Sequence, residues 1–151
     1  MTSGIHRKPP PKVCQTKKNS CWAATLESWS RADSRIPTVT EAQMLNDYNP
    51  EGILEGGIDG RTKLPVIAAK FGFRFGGFTG PQFKKYLLDY LPHSHMFCTY
   101  RLPSYSHSVL IYRLSGQHLT TVSFMDPDGG YYGWAPLDQF AQAAPLSLMW
   151  K

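Results

Sequence analysis

Gln15-Thr-Lys-Lys-Asn-Ser-Cys21-Trp22-Ala-Ala24 is the stretch on which the fold turns. It reads as a loop that delivers a thiol to the first turn of a helix. After Cys21, the residues Trp22, Ala23, Leu26 and Trp29 recur at helical spacing. Asn19 and Ser20, just before it, are residue types that cap helix N-termini. A thiol at that point meets the positive end of the helix dipole and backbone N–H groups without acceptors. Both favour the thiolate, which is the reactive form. Cys21 also reads as a small buried hydrophobe, the usual state of a free cysteine. The rest of the chain has to decide.

Downstream, the first half is helical. The Cys21 helix is expected to run to about Ala32, and Thr40 with Gln43 has the spacing of a capping box that starts a second helix. Asn49-Pro50 ends it, and four glycines make 50–60 a loop. Leu64, Ile67, Ala68 and Phe71 give a third helix that stops at Gly72. After a short strand over 73–78, Gly80-Pro81 opens a fourth helix with Phe83, Leu87 and Leu91 on one face. Then the texture changes. Residues 96–102, 107–114, 119–125 and 131–134 are β-rich runs divided by turn residues, followed by a brief helix over 136–144 and a strand over 146–150. Helices first and strands second indicate one α+β domain with an antiparallel sheet against the helical half.

The chain of 151 residues is 42% hydrophobic, enough for a real core. Its net charge of +5 is concentrated at one end: Arg7, Lys8, Lys12, Lys17 and Lys18 fall in the first 18 residues, where there is no acid. The remaining eleven cations face eleven acids, so the body is neutral and is not a basic nucleic-acid groove. Residues 1–13 are basic and proline-rich and read as an extended arm. Three cysteines, Cys14, Cys21 and Cys98, are too few for a disulfide scaffold, and a nucleophile among them calls for a reducing compartment. The N-terminus lacks the apolar core of a signal peptide, and no run approaches a membrane span. A soluble chain made in the cytoplasm is expected.

A catalytic cysteine needs a base within hydrogen-bond reach, a group that orients the base, and donors for the oxyanion. His107 stands at the head of the run Ser106-His107-Ser108-Val109-Leu110, and Asp126 closes the next run, ahead of the turn residues Pro127-Asp128-Gly129-Gly130. If the two runs pair as a hairpin, the start of one lies beside the end of the other. His107 and Asp126 are then neighbours at one sheet edge, where a carboxylate can orient an imidazole.

This order resembles the papain-like cysteine peptidases: Gln15 six residues before a Cys-Trp-Ala that opens a helix, then a strand-heading His107, then Asp126-Pro127 at the end of the following strand. The resemblance implies an oxyanion hole made by the Gln15 side chain and the Cys21 backbone N–H. It implies His107 as base and Asp126 as orienter. Trp22, Lys18 and Asn19, next to the thiol in sequence, are candidate supporting residues, with Lys18 reading also as a solvated loop charge and Trp22 as core. The resemblance further implies a papain-like catalytic domain over 14–151 behind the arm, a protein substrate, and no cofactor or metal. The chain departs from lysosomal and plant members, having Lys18-Asn19-Ser20 before Cys21 in place of their Cys-Gly-x-Cys-Trp disulfide context. It is much shorter and shows no recognisable pro-segment. It is similar instead to compact bacterial branches: peptidase domains of double-glycine leader exporters, avirulence-type effector proteases and papain-fold toxin domains. Those branches imply cleavage at Gly-Gly-type sites, delivery into a target cell by a dedicated secretion system, and a cognate inhibitor or immunity protein.

Two other functions stay open on the same residues. Deamidation or transglutamination would use the same triad, and a non-enzymatic module would use the basic arm on nucleic acid or protein. His93, His95 and Cys98 have a metal-like spacing, but zinc needs three or four converging ligands. Polar residues at a strand entry plus a core cysteine account for the same pattern. Lys70-Phe-Gly-Phe-Arg-Phe75 misses the RNA-stacking motif in its glycine and aromatic positions. Cys14 reads either as a resolving thiol or as a packed cysteine.

Overall fold

A computed structural model describes residues 4–78, 80–101, 106–142 and 146–151. Helix α1 (Cys21–Ala32) begins at the thiol. At α2 (Glu41–Tyr48) the capping box forms in full: the Gln43 N–H donates to the Thr40 hydroxyl oxygen and the Thr40 N–H to Gln43 Oε1. Helix α3 (Gly60–Phe71) starts at Asp59, whose carboxylate accepts the Arg61 N–H, and stops at Gly72 with φ +70°, a left-handed conformation that suits glycine. Helices α4 (Gly80–Tyr90) and α5 (Leu137–Gln142) complete the set. The strands are β1 (Ile5–His6), β2 (Arg74–Phe78), β3 (Met96–Arg101), β4 (Ser106–Ser115), β5 (Thr121–Asp126), β6 (Tyr131–Pro136) and β7 (Leu146–Trp150). The expected strand end at Leu102, the expected helix end at 143–144 and residues 1–3 of the arm lie outside the described residues.

All strand pairs are antiparallel, in the order β2-β7-β3-β4-β5-β6, which gives the α+β architecture expected from the sequence. The last strand is therefore inserted between β2 and β3, far from it in sequence. β1 pairs with Leu114 and Arg113 of β4, next to the bulge that leaves Tyr112 out of register with β5. Sheet residues alternate between two cores, as a period of two requires. Phe97, Leu110, Met125 and Met149 pack against Trp22, Leu26 and Trp29 of α1. Met96, Cys98, Val109, Ile111 and Leu148 pack on the other face with Phe83, Leu87 and Leu91 of α4. Burial on both faces explains why β3 and β4 read as continuous apolar runs.

Helix α1 is buried almost all round, so its hydroxyls must find acceptors. Ser28 donates to the Pro11 carbonyl at 2.6 Å, Thr25 to the Ser108 carbonyl at 3.3 Å, and Ser30 to the Glu27 carbonyl at 2.9 Å. The arm is held along the body by similar bonds. The Arg7 N–H donates to the Tyr112 carbonyl, His95 Nε2–H to that of Lys8, and the Tyr132 hydroxyl to that of Pro10. Among the described residues, no helix is long and apolar enough to cross a membrane.

Candidate active site

Cys21 is the first residue of α1 and is nearly covered, at 6% exposure. The first-turn N–H groups of a helix, its own included, have no acceptor within the helix. Ser20 takes the N-cap position, but its side chain does not cap them. Its one hydroxyl hydrogen is shared between Glu41 Oε2 at 2.9 Å and the Lys17 carbonyl at 3.1 Å, and its oxygen accepts the Lys17 N–H. The capping expected of Asn19 and Ser20 is thus replaced, because the Ser20 oxygen accepts the Lys17 N–H while its hydrogen turns to Glu41 and the Lys17 carbonyl.

His107 enters from β4 and Asp126 from the end of β5. The hairpin pairs Leu110 with Met125, which brings the start of β4 to the end of β5. His107 Nε2–H donates to Asp126 Oδ1 at 2.7 Å, with both groups buried. That leaves Nδ1 outside the bond to Asp126, and the Cys21 side chain is near enough to act on the ring. Burial by itself would push the imidazole pKa down. The bonds to Asp126 and Cys21, and the charges of those partners, outweigh it and push His107 up to about 10. The carboxylate is fixed in turn: the Asp128 N–H donates to Oδ1 at 2.9 Å and the Tyr131 hydroxyl to Oδ2 at 3.3 Å. Cys21, His107 and Asp126 thus come together from three elements, with a hydrogen bond of 2.7 Å between the last two.

Gln15 lies in the segment tied to the same turn, its N–H donating to the Pro127 carbonyl at 2.8 Å. Its side-chain nitrogen donates to the carbonyls of Lys17 and Lys18, at 2.9 and 2.8 Å, within the loop that leads to Cys21. To meet an oxyanion, that amide would have to share or release one of these bonds. Trp22 and Asn19 hold a second loop. Trp22 Nε1–H donates to the Gly56 carbonyl at 2.7 Å, Asn19 Nδ2–H to that of Leu54 and the Asn19 N–H to that of Glu55, both at 3.0 Å. Gly56, at φ +88°, sits where a Cβ would lie 3.0 Å from the Lys17 Cβ and 3.2 Å from that of Ser20, so only glycine lets the two loops touch. Lys18 approaches Glu55 at 3.9 Å with both side chains exposed, a contact worth little.

Beside the thiol opens a cleft of about 270 Å³. Trp22, Leu54, Ile58 and Leu64 give it an apolar wall, and Asn19, Thr99, Ser106 and Ser108 a polar one. A thiol, an imidazole and a carboxylate together at such a cleft can perform nucleophilic attack on a carbonyl. His93, His95 and Cys98 do not come together. Cys98 is fully buried in the α4-side core, where burial pushes its thiol up, and His95 is bonded to the arm. Among the described residues, no group of three His, Cys, Asp or Glu could hold a metal ion.

Neither a protein-family model nor a curated protein sequence matches the chain. Among solved structures, the peptidase domain of Streptococcus mutans ComA, in complex with a small-molecule inhibitor, is similar over 93% of this chain and 98% of that one. The TM-score is 0.55 and the identity 15%. The fold is that of a papain-like peptidase domain. At this identity the likeness carries the fold alone, and the chemistry has to rest on the side chains.

The site also holds partners that the sequence does not announce. Glu41 binds the loop before Cys21, Thr25 binds β4 beside His107, and Tyr131 binds Asp126. The capping box marks where α2 begins, but nothing in the spacing reveals that Glu41 faces inward.

Proposed function

We propose that the chain is a cysteine peptidase of papain-like type, with Cys21 as nucleophile, His107 as acid and base, and Asp126 as the group that orients His107. The observation that carries this reading is the position of His107, hydrogen-bonded to the buried Asp126 at 2.7 Å and near enough to Cys21 for the thiol to raise the imidazole. A raised imidazole keeps its proton at neutral pH, which is the partner a thiolate needs. The thiolate attacks the substrate carbonyl carbon, and the negative oxygen is met by the free Cys21 N–H at the helix N-terminus, with Gln15 as second donor. His107 then gives its proton to the departing amine, leaving a thioester on Cys21. It next takes a proton from water, which attacks the thioester and releases the acid.

The substrate is a polypeptide laid along the cleft between the loop at 53–57 and the ends of β3 and β4. From the resemblance to the compact bacterial branches we further infer an effector or toxin domain, a cognate inhibitor, and small residues before the cut, of the Gly-Gly type. Cleavage profiling that places bulky residues at both positions overturns the last inference. Co-expression in which the active chain is harmless without any binding partner overturns the first two.

The test of the peptidase reading is labelling with an epoxide of the E-64 type, followed by mapping of the adduct. The expected product is an adduct on Cys21 that is absent in Cys21→Ala and strongly reduced in His107→Ala. An adduct on Cys14 or Cys98, or full proteolysis by Cys21→Ala, rejects the reading. Mass analysis of a cleaved protein separates peptide-bond scission from the one-dalton shift of deamidation and from cross-linking.

A further inference from the structure

Glu41 is a carboxylate with only 6% of its surface exposed and, among the described residues, no ion pair, an uncommon state for a glutamate. Its oxygens are turned to a single loop. Oε2 accepts the Thr16 N–H and the Ser20 hydroxyl, each at 2.9 Å, and Oε1 accepts the Thr16 hydroxyl at 2.5 Å. These are charge-assisted bonds, the strong kind. Glu41 is itself anchored, since its N–H donates to Glu27 Oε1 at 2.8 Å and Glu27 pairs with Arg31 at 2.9 Å.

The two residues it holds are the ends of the loop between Gln15 and Cys21. Thr16 directly follows Gln15, and Ser20 directly precedes Cys21. Gln15 reaches into the same loop through the Lys17 and Lys18 carbonyls. Glu41 therefore fixes the separation of the two groups assigned above to the oxyanion hole. It does so without touching the thiol. The Ser20 hydroxyl that it binds makes no cap to the first turn of α1, where the Ala23 N–H donates to the Ser20 carbonyl instead.

We propose that Glu41 is a positioning residue for the oxyanion hole, acting through Thr16 and Ser20. This rests on the peptidase reading of the site. It makes a distinction that a merely structural role would not. Alkylation of Cys21 needs the thiolate but no oxyanion hole, whereas acylation needs both.

The experiment compares two rates at Cys21 in the full chain. One is acylation by p-nitrophenyl acetate, in which a sulfur–acyl bond forms and nitrophenolate leaves. The other is alkylation by iodoacetamide. In Glu41→Gln, one N–H of the amide faces a loop donor, and the ratio of acylation to alkylation should fall about tenfold or more, with alkylation itself within about twofold of wild type. Ser20→Ala should lower the same ratio by a smaller factor. An unchanged ratio in a folded Glu41→Gln, or alkylation that falls in step with acylation, overturns the proposal. Should Glu41→Gln fail to fold, the ratio in Ser20→Ala decides, and an unchanged value there overturns it equally. A wild-type chain that is not acylated at Cys21 would reject the peptidase reading and this inference together. An active wild type with an unchanged variant rejects the role of Glu41 alone.

Discussion

The hydroxyl of Thr25 donates to the carbonyl of Ser108 across the junction of α1 and β4, at 3.3 Å. Thr25 lies one helical turn after Cys21, and Ser108 is the residue after His107. The bond is therefore a direct tie between the elements that carry Cys21 and His107. Thr25→Val keeps the shape but leaves the buried Ser108 carbonyl without this donor. A loss of about 1–3 kcal/mol in stability is expected, with a larger proportional loss in Cys21 alkylation than a comparable core change such as Leu26→Val causes. Equal effects of the two substitutions on alkylation would remove Thr25 from the alignment of the pair.

The raised pKa of His107 makes two pH predictions with one sign. The imidazolium form of His107, read from its ring NMR shifts, should persist through neutral pH and be lost only as pH approaches about 10. Asp126→Asn removes the charge that supports the cation, so this change should move to lower pH. The group's folded value lies above its ordinary 6.5. Its contribution to stability is then fully present below 6.5 and is lost as pH rises through about 10. Denaturant midpoints that do not differ between pH 7 and pH 10.5 would contradict this.

His95 should act in the opposite pH range. It is buried beneath the arm, and Nε2–H donates to the Lys8 carbonyl at 2.8 Å, while Nδ1 has no hydrogen-bond partner. Burial holds its pKa below the ordinary 6.5, and nearby Arg7 and Arg35 add to that, against the Lys8 carbonyl and Asp33. Stability tied to neutral His95 is present above 6.5 and falls as pH drops through the folded value. Between pH 7 and pH 5 the melting temperature should fall, and His95→Gln, which keeps a donor but cannot titrate, should flatten the slope. An unaltered slope in His95→Gln would assign the acid sensitivity elsewhere.

Gly56→Ala should be costly, because Gly56 is buried against the loop before Cys21 and its carbonyl holds the core residue Trp22. The positive φ alone costs roughly 1–2 kcal/mol for a residue with a Cβ, and here that atom also meets the Lys17 and Ser20 side chains. Because the clash falls on the loop before Cys21, esterase activity should drop more than stability suggests. Gly52→Ala, also at positive φ but in open space, is the control, and it should cost stability without the additional loss of activity.

Much of this architecture was legible because short-range signals and burial agreed. The helical face after Cys21, the Thr40–Gln43 box and the Gly72 stop all coincide with observed ends. The meeting of His107 and Asp126 follows from a single assumption, that adjacent β runs pair as a hairpin, and β4 and β5 do. What was not legible depends on which element lies next to which. A strand pattern over 146–150 does not say that β7 lies between β2 and β3. The pairing of Ile5 and His6 with β4 is anchored by arm backbone rather than by an apolar run, so no periodicity marks it. Gln15 keeps its expected neighbourhood, but its amide is turned to loop carbonyls, a choice made by local hydrogen-bond geometry that composition cannot reveal.

The insertion of β7 has a consequence in time. Met149 packs in the core beneath α1, and β7 is the partner of both β2 and β3. Until residues 146–150 have left the ribosome, β3 lacks one neighbour and the layer under the thiol is incomplete. Pairings between segments this far apart form late and slowly. The layer beneath α1, on which Cys21 is seated, is thus completed only once β7, the last of the described strands in chain order, has paired.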